Sequence, residues 1–366
     1  MIRSNRGESL SALKKNVIRA GLETLYFSGA HLAMKPFVGG VGVILTLHHV
    51  RPRRPEAFQP NKLLEVSPRF FSKVIAKLRR SGLDLISLDE MYRRMTERDF
   101  QRRFACITFD DGYRDLMQWA YPVLRKHNVP FALYVPTSFP DRIGELWWLA
   151  LERVIAENQR LAMRMDGQDR HFYCATTAEK RDVYEEIYWW LRARETEDEL
   201  RDAVRDLCSR YGVDMKSFCE ELCMTWDEIA TLARDPLVTI GAHTVNHVIL
   251  RKTSDRVARS ELEMGRAVIE SAIGIRPEHL AYPVGDKTSA GEREYRLAKE
   301  VGYKTATTTN PGVLFPEQAD HLLALPRISL NGEYQQMRYF RVLMSGAATA
   351  LWNGINRGRT AGTTAG

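Results

Sequence analysis

Two short runs in this chain carry side chains able to hold a metal ion and move a proton. Ile107-Thr108-Phe109-Asp110-Asp111-Gly112-Tyr113 places two adjacent carboxylates after an apolar run, with a glycine next that permits a sharp turn. Neighbours on a regular strand face opposite ways, so both acids reach one site only where the chain bends. Side by side, two carboxylates repel unless a cation or a shared proton offsets their charge. Ile240-Gly241-Ala242-His243-Thr244-Val245-Asn246-His247 places two imidazoles at His-x-x-x-His spacing. One helical turn apart, or across a tight turn, such a pair can bind one ion. One carboxylate plus two imidazoles leaves open positions for a water and a substrate oxygen. A second, unbound carboxylate can take the proton of that water. These are the parts needed to hydrolyse a stable amide.

Other strand ends offer weaker signals. Ala281-Tyr282-Pro283-Val284-Gly285 reads as a turn whose backbone N–H groups could line a pocket or donate to an oxyanion. Thr46-Leu47-His48-His49-Val50 holds a histidine that is either structural or faces the same mouth.

The elements that must position these residues alternate. Apolar runs at 41–47, 83–88, 104–109, 130–136, 237–242, 279–282, 303–307 and 324–328 read as strands. Helical patterns lie between them at 67–82, 89–95, 113–127, 255–273 and 291–302, with another at 334–343. Repeated βα units imply parallel strands covered by helices, as an open sheet or a barrel, with ligands at the C-terminal strand ends. All the candidate residues fall there. Residues 145–223, with Trp147, Trp148, Trp189 and Trp190 amid dense charge, read as an inserted set of two to four helices. Its tryptophans suit a core, or a wall over a sugar groove. Residues 1–12 read as frayed and 13–33 as an amphipathic helix that packs on the domain or touches a membrane surface. The expected division is an extension over 1–40, the α/β domain over 41–345 and a tail over 346–366, disordered from Arg357.

Composition narrows the class. With 366 residues, 44% hydrophobic and 27% charged, the chain can bury a sizeable core. No apolar stretch is long enough for a membrane span. The polar, basic start shows no signal peptide, so the expected place is the cytoplasm, with contact at the inner membrane face as an extension. Five cysteines at irregular spacing read as reduced, buried thiols, Cys106 among them. The net charge of +7 suits an acidic glycan, an anionic lipid surface or simply a basic enzyme. The lysines and arginines are spread out, and no nucleic-acid-binding motif is present.

Thr108-Phe109-Asp110-Asp111-Gly112 and His243-Thr244-x-x-His247 resemble the first two signature motifs of the polysaccharide deacetylases, carbohydrate esterase family four. Leu45-Thr46-Leu47-His48-His49-Val50 is similar to the family's first strand, with His48 in the family histidine's place. Ala281-Tyr282-Pro283-Val284-Gly285 resembles its third motif. The resemblance runs from about Val41 to Leu330, outside the insertion. It implies a distorted (β/α) barrel of about seven strands. It implies Asp110 as general base and Asp111, His243 and His247 as ligands of a divalent ion, usually zinc, with cobalt or another ion serving in some members. The expected substrate is an N-acetylglucosamine-containing oligo- or polysaccharide, lipid-linked forms included. The chain departs from the family in two places. Ala281 stands where an arginine usually orients the base, and Arg327, at a late strand end, is the candidate replacement. The motif supplying the usual general acid is absent, leaving His48 or His321. Tyr282, Pro283, Gly285 and Arg327 are expected around the substrate.

The reading that follows is metal-dependent N-deacetylation of such glycans. Two others share its features: a hydrolase of a non-sugar amide or cyclic imide on the same fold, and a non-catalytic glycan-binding subunit of a polysaccharide biosynthesis system.

Overall fold

Apolar runs buried on both faces become parallel strands wrapped by helices, because each strand must cover one face inside and one outside. The computed structural model describes residues 5–354, with side chains from Lys15 onward. The chain opens with α1 (Asn5–Phe27) and α2 (Ala30–Val38). It then lays down β1 (Gly42–Leu47), short strands β2 (His49–Val50) and β3 (Glu65–Val66), α3 (Pro68–Arg79), β4 (Asp84–Leu85), α4 (Leu88–Glu97), β5 (Phe104–Phe109), α5 (Tyr121–Lys126) and β6 (Phe131–Val135). After an insertion come α10 (Trp226–Ala233), β9 (Val238–Ala242), α11 (Asp255–Ile273), β10 (His279–Ala281), α12 (Glu292–Val301), β11 (Thr305–Pro311), β12 (Leu325–Ser329), α13 (Met337–Met344) and α14 (Ala347–Trp352).

The main sheet has the order β1-β12-β11-β10-β9-β6-β5-β4, and an added β1–β5 pairing closes it. With β4 left on the outer edge, seven parallel strands form a closed (β/α) barrel. Its distortion is local: β9 and β10 share only the Leu280–Ala242 pair, and the β11–β12 register shifts between Thr307 and Pro311. Period-two alternation sorts the side chains. Val43, Leu45, Ile107, Phe109, Leu133 and Ile240 pack outward under the helices, while Ile44, Phe104, Cys106, Tyr134 and Leu325 fill the interior. At Gly241 a Cβ would come within 2.4 Å of the Tyr134 ring, so the filled barrel needs glycine there.

The insertion holds α6 (Trp147–Glu157), α7 (Thr177–Arg192), α8 (Glu197–Tyr211) and α9 (Ser217–Leu222) around their own apolar core. It also holds an antiparallel hairpin absent from the sequence reading, β7 (Arg160–Met165) with β8 (Gln168–Tyr173). Asp166 and Gly167 turn it at φ 52° and 81°, as a two-residue hairpin loop requires.

The ends differ from expectation as well. The helix expected over 13–33 breaks at Gly29, which sits at φ 74°, and α2 folds back from there. Residues expected as a tail form α14, packed on α2. The expected disorder from Arg357 falls outside the described residues. The helix expected over 113–127 begins instead with a wide turn over Leu116–Ala120, next to Pro122, which lacks the N–H a regular turn would use. All five cysteines are free and buried.

Candidate active site

Six strand ends of the barrel, those of β1, β5, β9, β10, β11 and β12, converge on one cavity of about 390 Å³. Asp110 leaves β5 on the inward phase. Asp111 then takes φ 70°, and this bend turns the second carboxylate into the same space. Thr244 (φ 65°), His247 (φ 53°) and Val284 (φ 61°) share the left-handed conformation. For β-branched threonine and valine it is costly, and such strain persists only where the surroundings enforce it. Half of the eight non-glycine residues with positive φ among the described residues therefore sit at this one rim.

Asp111, His243 and His247 offer ligand atoms that all lie within 4.8 Å of one another, and all three side chains are buried. His243 Nε2 and His247 Nε2 stand 3.5 and 3.3 Å from Asp111 Oδ1. A tetrahedral ion with bonds of about 2.1 Å separates its ligands by about 3.4 Å. His243 Nδ1 lies 2.6 Å from the Ala281 carbonyl. That contact puts the proton on Nδ1 and leaves Nε2 with a free lone pair. Asp111 Oδ1 is buried with no hydrogen-bond partner. An orphaned anionic oxygen facing two imidazole nitrogens fits a divalent cation, and these residues can hold one.

The histidine loop is braced from outside. Glu261 on α11 accepts the Val245 and Asn246 N–H groups, each at 2.9 Å, and the Asn246 amide at 2.7 Å. From the insertion, buried Arg201 donates to the Asn246 carbonyl at 2.7 Å, and Glu197 accepts the Ile249 N–H at 3.1 Å. Trp148 and Phe139 pack on the His247 ring at centroid distances of 4.9 and 5.9 Å. Of these supports only Trp148 was named from the sequence, as core or wall. One signal was present: Glu261 interrupts the buried stripe of Ala258, Leu262 and Ile269, a charged residue at a core position.

Asp110 has a different partner. Arg327 donates to both its oxygens, Nη1 to Oδ1 at 2.8 Å and Nη2 to Oδ2 at 2.7 Å. Arg327 is fully buried, and it also donates to the Thr308 carbonyl and the Thr108 hydroxyl. It cannot reach a substrate, so its expected place around the substrate is corrected. It supplies the charge that Ala281 lacks, from beneath the carboxylate. Burial pushes the Asp110 carboxyl up, and the Arg327 guanidinium more than reverses this, leaving it below 3.8 and ionised.

The remaining expectations separate. His48 lines the cavity, whereas His49 turns away, bonds Asp115 at 2.6 Å and stacks on Tyr113. Burial lowers the His48 imidazole below its ordinary 6.5 despite nearby Asp111 and Asp110. His321 is exposed in a separate surface hollow, outside this cavity. At the turn after β10, Tyr282 borders the cavity, but its hydroxyl is committed to the Leu323 carbonyl and its N–H to the Thr307 carbonyl. Gly285 donates to the Pro283 carbonyl, and proline has no N–H. Tyr282 thus lines the cavity with its ring alone, and neither Pro283 nor Gly285 offers it a free N–H. The Val284 N–H is the donor left in that turn, and Val284 lines the cavity. Gly285 is needed for the turn: at φ 66° a Cβ would meet Thr309 N and the Tyr282 carbonyl at 2.9 Å. The insertion contributes Trp147, Trp148, Tyr184, Tyr188 and Trp189 to the cavity wall. Trp147 and Trp148 serve core and wall together.

A closed (β/α) barrel with paired acids and a His-x-x-x-His loop at its C-terminal rim is the framework of one group of hydrolases. The chain belongs to the polysaccharide deacetylase family, whose family model matches residues 97–306. A curated relative in Bacillus subtilis (strain 168), YxkH, named as a putative polysaccharide deacetylase, is 20% identical over 267 residues. That match spans 73% of this chain and 66% of the relative. Among solved structures, the Streptococcus pyogenes deacetylase PplD in complex with acetate is 19% identical at a TM-score of 0.55, covering 83% of this chain and 96% of that one. The Bacillus cereus polysaccharide deacetylase BC0361 is 17% identical at a TM-score of 0.51, covering 83% and 68%. These two likenesses are of fold. Among the described residues, no helix is long and apolar enough to cross a membrane.

Proposed function

We propose that this protein is a metal-dependent N-deacetylase of glycans containing N-acetylglucosamine. The observation that carries the reading is the pairing of an arginine-clamped carboxylate with an adjacent Asp–His–His set at the floor of an aromatic-walled cavity. Asp111, His243 and His247 would hold a divalent cation, zinc or cobalt being the first candidates, which would polarise an acetamide carbonyl and acidify the attacking water when bound. Asp110, kept ionised by Arg327, accepts the proton from that water. The Val284 N–H donates to the developing oxyanion. His48 is neutral at rest, so it relays a proton to the leaving amine rather than storing one. Tryptophan and tyrosine rings present apolar faces to the sugar, which suits a pyranose better than a flat imide.

The test is acetate release from N-acetylglucosamine oligomers by purified protein after chelation, with and without added zinc or cobalt. Release that returns with metal is expected. A full equivalent of bound metal with no release from any oligomer would move the substrate to a non-sugar amide or leave a glycan-binding protein. No metal binding at all would end the mechanism.

The brace on the histidine loop carries its own prediction. Arg201→Met removes the donor to Asn246 and the cation paired with Glu197, while Glu145 keeps Arg205. Loss of such support to a metal-ligand loop lowers metal affinity by about 10- to 100-fold. A competition titration against a chromogenic chelator reads this directly, and unchanged affinity would show that the loop holds its shape alone.

A further inference from the structure

At the opposite end of the barrel lies a second hollow, of about 660 Å³, that the deacetylation chemistry does not use. α1, α2, α3 and α13 enclose it, and Arg103, just before β5, reaches it from the barrel. Its lining includes Lys35, Lys77, Arg80, Arg103 and Arg341 and not a single Asp or Glu. Nor does any of the five form an ion pair among the described residues, although most arginines elsewhere on the surface do. Arg103 Nη2 donates to the Met344 carbonyl at 2.8 Å and Arg341 to the Tyr26 hydroxyl at 3.2 Å, so these two are held by neutral groups, and the buried Arg103 Nε has no partner among the described residues. Apolar side chains stand at the same rim: Phe27 is 71% and Leu32 65% exposed. α14, packed on α2, adds Leu351 and Trp352, 57% and 60% exposed.

Unpaired cations around a hollow, with exposed aromatic and aliphatic side chains beside them, are what a protein lying on an anionic bilayer presents. We propose that this face docks the protein on an anionic lipid surface, a headgroup phosphate entering among Lys35, Lys77, Arg80, Arg103 and Arg341. Charge disfavours the other occupants. A second copy placing the same face against this one would bring like charges together. The chain's own end beyond Gly354 contains Arg357 and Arg359 and no acid, so it does not complement the hollow. Arg103 precedes β5 and Asp110 follows it, so about 20 Å of strand separates the hollow from the catalytic floor. A docked protein would therefore turn its active-site mouth away from the lipid, toward glycan in the aqueous phase.

The experiment is cosedimentation of the full chain with vesicles of phosphatidylcholine alone or mixed with phosphatidylglycerol, across a salt series. Binding to the mixed vesicles only, released by salt, is expected. Each basic residue near such a surface is worth about fivefold in affinity, so Lys77→Gln with Arg80→Gln should weaken binding about 25-fold or more. Neither residue touches the active site, and unchanged acetate release serves as the control for folding. Equal binding to both vesicles, no binding to either, or a variant that binds like the parent would overturn the proposal. So would calorimetric binding of inorganic phosphate without vesicle binding, which would mark a soluble phosphate ligand. A dimer broken by the same substitutions, again without vesicle binding, would assign the face to a second copy.

Discussion

Asp110→Asn is expected to lower kcat for acetate release by about 10²- to 10⁴-fold, the range a positioned general base supplies, while a full equivalent of metal stays bound. The two effects separate because Asp110 and Asp111 have divided their partners. Asp111 faces the imidazoles, and Asp110 faces Arg327. The substitution keeps one carbonyl oxygen for the guanidinium but leaves the buried Arg327 charge without its counter-ion, so it lowers stability as well as removing the carboxylate that accepts a proton from water. KM should change little, since the aromatic wall is untouched. His243→Ala is the contrasting variant, because it removes a ligand atom and should lose metal and activity together. If Asp110→Asn kept near-full turnover, another group would be the base. If it lost metal as readily as His243→Ala, the two acids would share the ion.

What could be read from the residues was whatever is local. Asp110, Asp111, His243 and His247 follow apolar runs at fixed short spacing, so their meeting at one rim follows once the strands are parallel. Arg327 could be named, through the family resemblance, as the replacement for the arginine missing at Ala281, but nothing local fixes where it makes contact. Its partner is 217 positions away, and only closure of the barrel through β1 and β12 sets the guanidinium beneath the carboxylate. The turn at Tyr282–Gly285 was legible only in part, for a related reason. The motif shows that a turn exists, but which N–H remains free depends on acceptors in β11 and in the turn itself. The hairpin of the insertion was legible and passed over. Asp166-Gly167 flanked by alternating Leu161, Met163, Met165 and Phe172 is a hairpin signal, outweighed by the helical charge spacing around it. The tryptophans of the insertion suggested a wall, but their meeting with the histidine loop was out of reach, because Trp148 contacts His247 only through tertiary packing.

Arg327→Met tests the energetic core of the site. The guanidinium and the Asp110 carboxylate are both buried, and removing one partner of such a pair costs roughly 3–5 kcal/mol because the other charge is stranded. The variant should therefore melt well below the parent, and adding Asp110→Asn should recover most of the loss without restoring activity. The pH dependence should change sign. In the parent the folded Asp110 carboxyl lies below its ordinary value, so its contribution to stability is complete above that value and fades as pH falls through the depressed one. Without Arg327, burial dominates and raises the carboxyl. The variant then gains from the protonated form at low pH and loses stability as pH rises through the raised value. Its activity should also move, the acid limb of the rate profile shifting upward because the base ionises later. Thermal melts across acid and neutral pH decide the matter. A variant with the parent's stability and acid limb would mean that the bidentate pair does not set the charge of Asp110, and the base would owe its ionisation to Asp111's cation instead.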